Sequence, residues 1–234
     1  MKQYQFLRAD RILATLEKLR ERIVARFPDA GLAGVSGEVI ETAQWSAKDA
    51  ARLARPSYVW RLISLLIIAA GVTAQIAAFK FLRVENTALT PPELVQGLEA
   101  AVNLLILFGG GLWFVLTLEE RSKRRRALEA LHRLRSLAHV IDMHQLTKDP
   151  TIVLDTQKTA ASPERTMTQF ELTRYLDYCA EMLALIGKLA ALYGDRTRDS
   201  VVIAAVNDVE NLTAGLGRKI WQKITIIGAL EERS

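Results

Sequence analysis

A single cysteine, Cys179, stands in the chain, so no disulfide can close within it. It lies in a segment with helical periodicity and no neighbouring base or positive helix end, and it reads as a small apolar core residue rather than a reactive thiol. Histidine is almost as scarce. Glu129 and His132 form one E-x-x-H pair, the element that di-iron bundles use in duplicate, but neither His139 nor His144 has a glutamate three residues before it. His132, His139 and Asp142 are thus the only metal-ligand candidates, fewer than the roughly four convergent ligands a structural ion takes. Glycine-rich phosphate loops, nucleophile elbows, kinase signatures and zinc-protease helices are absent. No cofactor is implied, and enzymatic chemistry has no motif to rest on.

What the chain has in quantity is apolar side chains, half of all residues, beside an ordinary charged fraction of 24%. The excess is concentrated in two stretches, 59–79 and 98–118. Each has about the length that crosses a hydrocarbon layer of roughly 30 Å at 1.5 Å per residue. Arg61 sits at the inner end of the first, where a long side chain reaches the headgroups, and Glu99 in the first turn of the second. A chain this short cannot wrap both stretches in protein on all sides. The reading is a two-helix transmembrane hairpin, 58–118, with a short exterior loop at 80–97 stiffened by Pro91 and Pro92. The first stretch follows about 58 charge-rich residues, which is not the layout of a cleavable signal peptide.

Orientation follows from the basic residues near the span ends. The outer flanks carry eleven, among them the block Arg121, Lys123, Arg124, Arg125 and Arg126; the loop carries Lys80 and Arg83. Both ends are therefore expected in the cytoplasm, in a membrane of the bacterial inner type. Tyr58, Trp60 and Trp113 fall near the inner boundary, where amphipathic rings suit the headgroup layer. The basic block anchors topology and attracts anionic lipid, at roughly 1 kcal/mol per group. It also holds most of the net charge of +5, and residues 149–234 carry ten basic against twelve acidic groups, which argues against nucleic acid as a partner.

Outside the spans the periodicity is helical, giving an all-α fold with a bundle or coiled-coil-like hairpin on the cytoplasmic side. In the N-terminal segment, 1–57, Ile12, Leu16, Leu19, Ile23 and Phe27 form one stripe that stops at Pro28, and a second helix is expected from about Ser36 to Leu53. A juxtamembrane helix, 119–149, continues the second span through Ala127, Leu131, Leu134, Ala138 and Ile141. Residues 150–167 read as a loop.

In 168–234, Thr168 and Glu171 make a capping box before the stripe Leu172, Leu176, Cys179, Leu183, Ile186, Ala190 and Tyr193, which Gly194 closes. Asp199 or Ser200 opens a last helix bearing Val202, Val206, Val209, Leu216, Ile220 and Ile227, with Trp221 beside the stripe. The two form a helical hairpin whose stripes, at Leu183 and Val209 for example, need cover from the rest of the chain, from other copies or from a partner protein.

Within the spans, Gln75, Glu99 and Asn103 are polar groups that lipid penalises, Gly109, Gly110 and Gly111 predict a bend or a close helix contact, and Ala70, Ala74 and Ala78 form a small-residue ridge. They knit the hairpin to its neighbours, or in an assembly of several hairpins line a pore. The run from His139 to Pro150 is dense in polar side chains and ends a helix with ordinary stop residues.

The first expectation is thus a non-enzymatic membrane protein whose cytoplasmic helices self-associate or bind a partner. The alternatives are a small oligomeric two-span channel or pore-forming effector and, third, a membrane-bound metal-dependent enzyme centred on His132 to His144. The layout of cytoplasmic helix, two spans and further cytoplasmic helices resembles that of the SLATT-type two-span effectors of bacterial conflict systems. That resemblance implies membrane perforation on a trigger.

Overall fold

The computed structural model describes residues 6–53, 58–84, 91–146, 148 and 167–231, and every element among them is helical. In chain order these are α1 (Ala9–Arg26), α2 (Gly31–Leu53), α3 (Tyr58–Val84), α4 (Pro91–Leu146), α5 (Gln169–Gly194) and α6 (Ser200–Glu231). The chain divides into two units, Met1–Ala54 with Arg126–Ser234, and Arg55–Arg125.

The first unit is a helical body closed around its own core. From α1 it takes Ile12, Leu16, Leu19 and Ile23 at steps of four, three and four, all nearly free of solvent. Phe27 ends α1 because Pro28 follows and has no N–H to continue the ladder; its ring meets Tyr175 and Tyr178 edge-on, with centroids 5.6 and 6.3 Å away. Helix α2 begins at Gly31, ahead of the expected Ser36, because Leu32 and Val35 are buried and their packing outweighs the poor helix propensity of Gly31 and Gly34. The C-terminal stretch of α4 adds Ala127, Ala130, Leu131, Leu134, Ala138 and Ile141.

At the centre is α5. Tyr175, Leu176, Tyr178, Cys179, Met182, Leu183, Leu185 and Ile186 are all buried, a ring of positions rather than a stripe, since α1, α2 and α6 all pack on it. Thr168 and Glu171 form the reciprocal cap at its start. Gly194 is its last residue, and the helix closes in the right-handed region, because no glycine among the described residues has a positive φ. Asp199 then caps α6, its Oδ1 accepting from the N–H of Val201 at 2.9 Å and of Val202 at 3.4 Å. Along α6 lie Val202, Val206, Val209, Leu216, Ile220 and Ile227.

The pairing of α5 with α6 is antiparallel, with Gly194 facing Val206 and Gly187 facing Thr213. At Gly187 the approach is close enough that a Cβ would lie 2.9 Å from Thr213 Oγ1, so no larger residue fits without a shift. Leu183 and Val209, whose cover the spacing left open between the rest of the chain, other copies and a partner, are 0% and 2% exposed within this core. Their cover is the rest of the same chain, so any partner surface lies elsewhere on the body.

The second unit holds α3 and the N-terminal part of α4, both long and apolar enough to cross a membrane. Helix α3 runs to Val84 and α4 begins at Pro91, so both extend into the expected 80–97 loop. Pro91 and Pro92 occupy the first turn of α4, where backbone N–H groups have no intrahelical partner and a fixed φ favours the helix. The loop expected at 150–167 lies outside the described residues apart from Met167, a bend before the cap of α5.

Candidate membrane-spanning pair and the polar groups around it

The two apolar helices meet at Gly71, where an added Cβ would lie 3.0 Å from the ring of Phe108. On α3, Trp60, Ile63, Ser64, Ile67, Gly71, Ala74 and Gln75 are half-buried, and on α4 the same holds for Ala101, Leu104, Phe108, Gly111 and Leu112, with Val115 buried. Steps of three and four mark one shared face on each helix. The other faces are open: Leu62, Leu65, Leu66, Val72, Leu105, Ile106, Leu107 and Phe114 are between 45% and 70% exposed. Among the described residues of the second unit, nothing packs over them. An apolar surface of this extent on two adjacent helices is rare on a soluble domain and marks a surface that another apolar body or medium covers.

The polar residues of this unit fall into three groups. Ser64, Thr73 and Thr117 donate to carbonyls three or four residues back in their own helix, at 2.7 to 3.0 Å, so their hydroxyls are satisfied wherever the helix is placed. Gln75 lies half-buried on the face that α3 shares with α4. Glu99 and Asn103 are exposed. The sequence grouped Gln75 with the other two; the structure separates them.

The triple glycine Gly109, Gly110 and Gly111 lies inside an unbroken helix, and a Cβ on any of the three would meet nothing within 4 Å. The close contact within the pair is at Gly71 instead. Of the alanine ridge, Ala70 is exposed and Ala74 half-buried, while the side chain of Ala78 lies outside the described residues.

The basic block follows along α4. Arg121, Arg124, Arg125 and Arg126 are exposed, and Lys123 pairs with Glu119 one turn back at 2.8 Å. Tyr58 and Trp113 are 80% and 75% exposed, and Trp60 is half-buried.

Farther along α4, His132 and His139 are exposed, and Asp142 accepts from the amide of Gln145. Among the described residues no three metal-ligating side chains come together. His144 sits against the turn before α2, where a Cβ on Gly31 would fall 2.6 Å from its Cε1. There it borders a cleft of about 450 Å³ lined by Phe27, Asp29, His144, Lys148, Glu171 and Tyr175 among others. Its charges are mixed in sign, Glu171 is held by the Thr168 cap, and Lys148 lies over the Tyr175 ring with its Nζ 5.5 Å from the centroid. This arrangement presents no focused field to a ligand of either charge. Burial in α5 pushes the Cys179 thiol up to about 12, with Lys223 acting weakly the other way, so it is a protonated core residue at neutral pH.

No family model matches this chain, and no curated protein or solved structure is significantly similar to it. Its reading therefore rests on its own physics. What periodicity alone left unseen is the division of the spans into an inner and an outer face. At 100° per residue Phe108 lies opposite Glu99 on α4, so the separation was present in the spacing and needed only the one contact at Gly71 to orient it.

Proposed function

We propose that the protein is a non-enzymatic integral membrane protein in which α3 and α4 cross a bilayer of the bacterial inner-membrane type as an antiparallel hairpin, and the helical body is a cytoplasmic module for self-association or partner binding. The observation that carries this reading is the contrast in cover: the body buries its apolar stripes, whereas the adjacent pair α3 and α4 turns its own outward. Water would penalise that surface and hydrocarbon would not.

Chain length supports the hairpin. From the Gly71–Phe108 contact, α3 runs thirteen residues to Val84 and α4 begins seventeen residues before Phe108. In a parallel pair those two ends would stand about 45 Å apart at 1.5 Å per residue. Six connecting residues reach only about 25 Å. An antiparallel pair removes the conflict, and both flanks then return to one side.

The excess of basic residues on those flanks favours the cytoplasm, with Arg121, Arg124, Arg125 and Arg126 at the level of anionic headgroups. With Leu183 and Val209 committed to the core, partner contact falls to exposed side chains such as Met143, Leu146 and Trp221. A second reading, an oligomeric two-span channel, draws on the outward position of Glu99 and Asn103.

The test is fractionation of cells expressing the full chain, with reporter fusions at both ends. Wild type stays in the membrane pellet after carbonate extraction, with both reporters cytoplasmic. The double variant Leu66→Asp, Leu107→Asp, at about 3 kcal/mol of insertion cost per site, moves substantially to the soluble fraction. Wild type released by carbonate, or a reporter on the exterior, refutes the reading.

A further inference from the structure

On α4, successive side chains turn by about 100°, which places Ile106 and Gly110 each about 20° from Glu99, on opposite sides of it, and Asn103 about 40° from Glu99. Phe108, which meets Gly71 of α3, lies about 180° away from Glu99. Exposure follows the same division: 101, 104, 108, 111, 112 and 115 are covered to some degree, and Glu99, Asn103, Ile106 and Gly110 are exposed. The polar stripe thus points away from α3, the one helix among the described residues that packs on this segment within the second unit.

Such a stripe is costly against lipid. Hydroxyls on these helices bond back to their own carbonyls, but the Asn103 amide carries two donors and an acceptor, and hydrocarbon offers it nothing. Asn103 stands five residues inside the expected span, about 7.5 Å deep, too far for a short side chain to reach headgroups. Two turns on, Gly110 leaves the same face without a side chain, and a Cβ there would meet nothing within 4 Å, so another helix can approach closely.

We propose that this face of α4, centred on Asn103 and Gly110, is the contact surface between two copies of the chain within the membrane. The proposal rests on the membrane-spanning reading of α3 and α4. The occupant follows from the self-complementarity of Asn103 and Gly110, while Glu99, one residue inside the expected span, lies at headgroup level where its carboxylate stays hydrated. Two copies inserted with one topology are related by a two-fold axis along the membrane normal, which brings Asn103 of each to the same depth. An amide is both donor and acceptor, so the pair satisfies itself across that axis. Gly110 admits Gly110 in the same way.

The test uses the full chain in native membranes with Cys179→Ala, which removes the only thiol. Single cysteines are placed on the stripe, as Ile106→Cys or Gly110→Cys, and off it at other exposed positions, as Leu105→Cys or Leu116→Cys. A copper–phenanthroline oxidant then joins thiols that meet. Disulfide-linked dimers form at 106 and 110 at least tenfold faster than at 105 and 116. Adding Asn103→Leu to Ile106→Cys weakens cross-linking roughly tenfold, as loss of an interhelical polar pair does. Equal cross-linking at all four positions, or none at any, in protein that still resists carbonate overturns the interface while leaving the membrane reading intact. Release by carbonate overturns the membrane reading and this proposal with it.

Discussion

The two units of this chain arrange their apolar residues in opposite ways, and the second concentrates them in its two long stretches. In the body, leucine and isoleucine recur at steps of three and four and point at one another, leaving charge outside; in the second unit they surround both helices and point away. Periodicity together with composition separates a helix that makes its own interior from one that leaves apolar side chains open on every side but one. Helix α4 belongs to both regimes: continuous from Pro91 to Leu146, it is open at Leu105, Ile106 and Leu107 and has buried Leu131, Leu134 and Ile141 farther on.

The sharpest way to break the comparison is to place the same charge in each unit. Leu183 is fully buried at the centre of α5, and Leu183→Asp leaves an unpaired carboxylate in the core at a cost of about 4 kcal/mol or more. The body then loses its cooperative melting transition in circular dichroism of the detergent-solubilised chain. Leu107→Asp, at a position 69% exposed, leaves that transition within about 1 °C of wild type. Equal damage from both would mean that the stretch of α4 around Leu107 is part of the body's core.

A smaller effect distinguishes the units by pH. Helix α5 buries three groups whose charged form is disfavoured by desolvation: Cys179, with its thiol raised to about 12, and the Tyr175 and Tyr193 hydroxyls, both raised above their ordinary value. Tyr193 remains bonded, donating to the Ser46 carbonyl at 3.3 Å. In the unfolded chain these groups ionise near their ordinary values, about 8.5 for the thiol and about 10 for the phenols. Above pH 9 the unfolded state therefore binds fewer protons than the folded one, and stability falls as pH rises. The melting temperature of the body should decline between pH 9 and 11, and Cys179→Ala should flatten the first part of the decline. A flat profile in wild type would show that the three groups reach solvent.

Much of the body was legible in advance, because Ile12, Leu16, Leu19 and Ile23, or Leu131, Leu134, Ala138 and Ile141, keep a spacing that only a helix with one buried side explains. The start of α2 was not, since Gly31, Gly34 and Gly37 disfavour a helix locally and only the packing of Leu32 and Val35 stabilises it. Pro91 and Pro92 read as loop residues because proline is usually a breaker, yet at a first turn it costs no hydrogen bond. The cover of Leu183 and Val209 was open between the chain itself, other copies and a partner, because a stripe shows that cover exists without showing whose. The face of α4 that bears Asn103 was hidden for a related reason: apolar residues surround the helix, so periodicity gave no inside until Gly71 and Phe108 fixed one.

The mildest distinction lies at the start of α5. The Thr168 hydroxyl accepts from the Glu171 N–H at 3.2 Å while the Glu171 carboxylate accepts from the Thr168 N–H at 2.8 Å, an arrangement that also holds this carboxyl below its ordinary value. Thr168→Ala removes one acceptor and costs about 1 kcal/mol. In a body of this size that lowers the melting temperature by about 3 °C. Because Glu171 then loses its hydroxyl donor, its carboxyl rises toward the ordinary value, and the loss of stability on acidification becomes shallower. Glu171→Gln should keep most of the cap, since an amide oxygen still accepts from Thr168, but remove this carboxyl's share of the acid dependence. If Thr168→Ala and Glu171→Gln both leave the melting temperature and its acid slope at wild-type values, α5 owes its start to Leu172 and Tyr175 packing rather than to its cap.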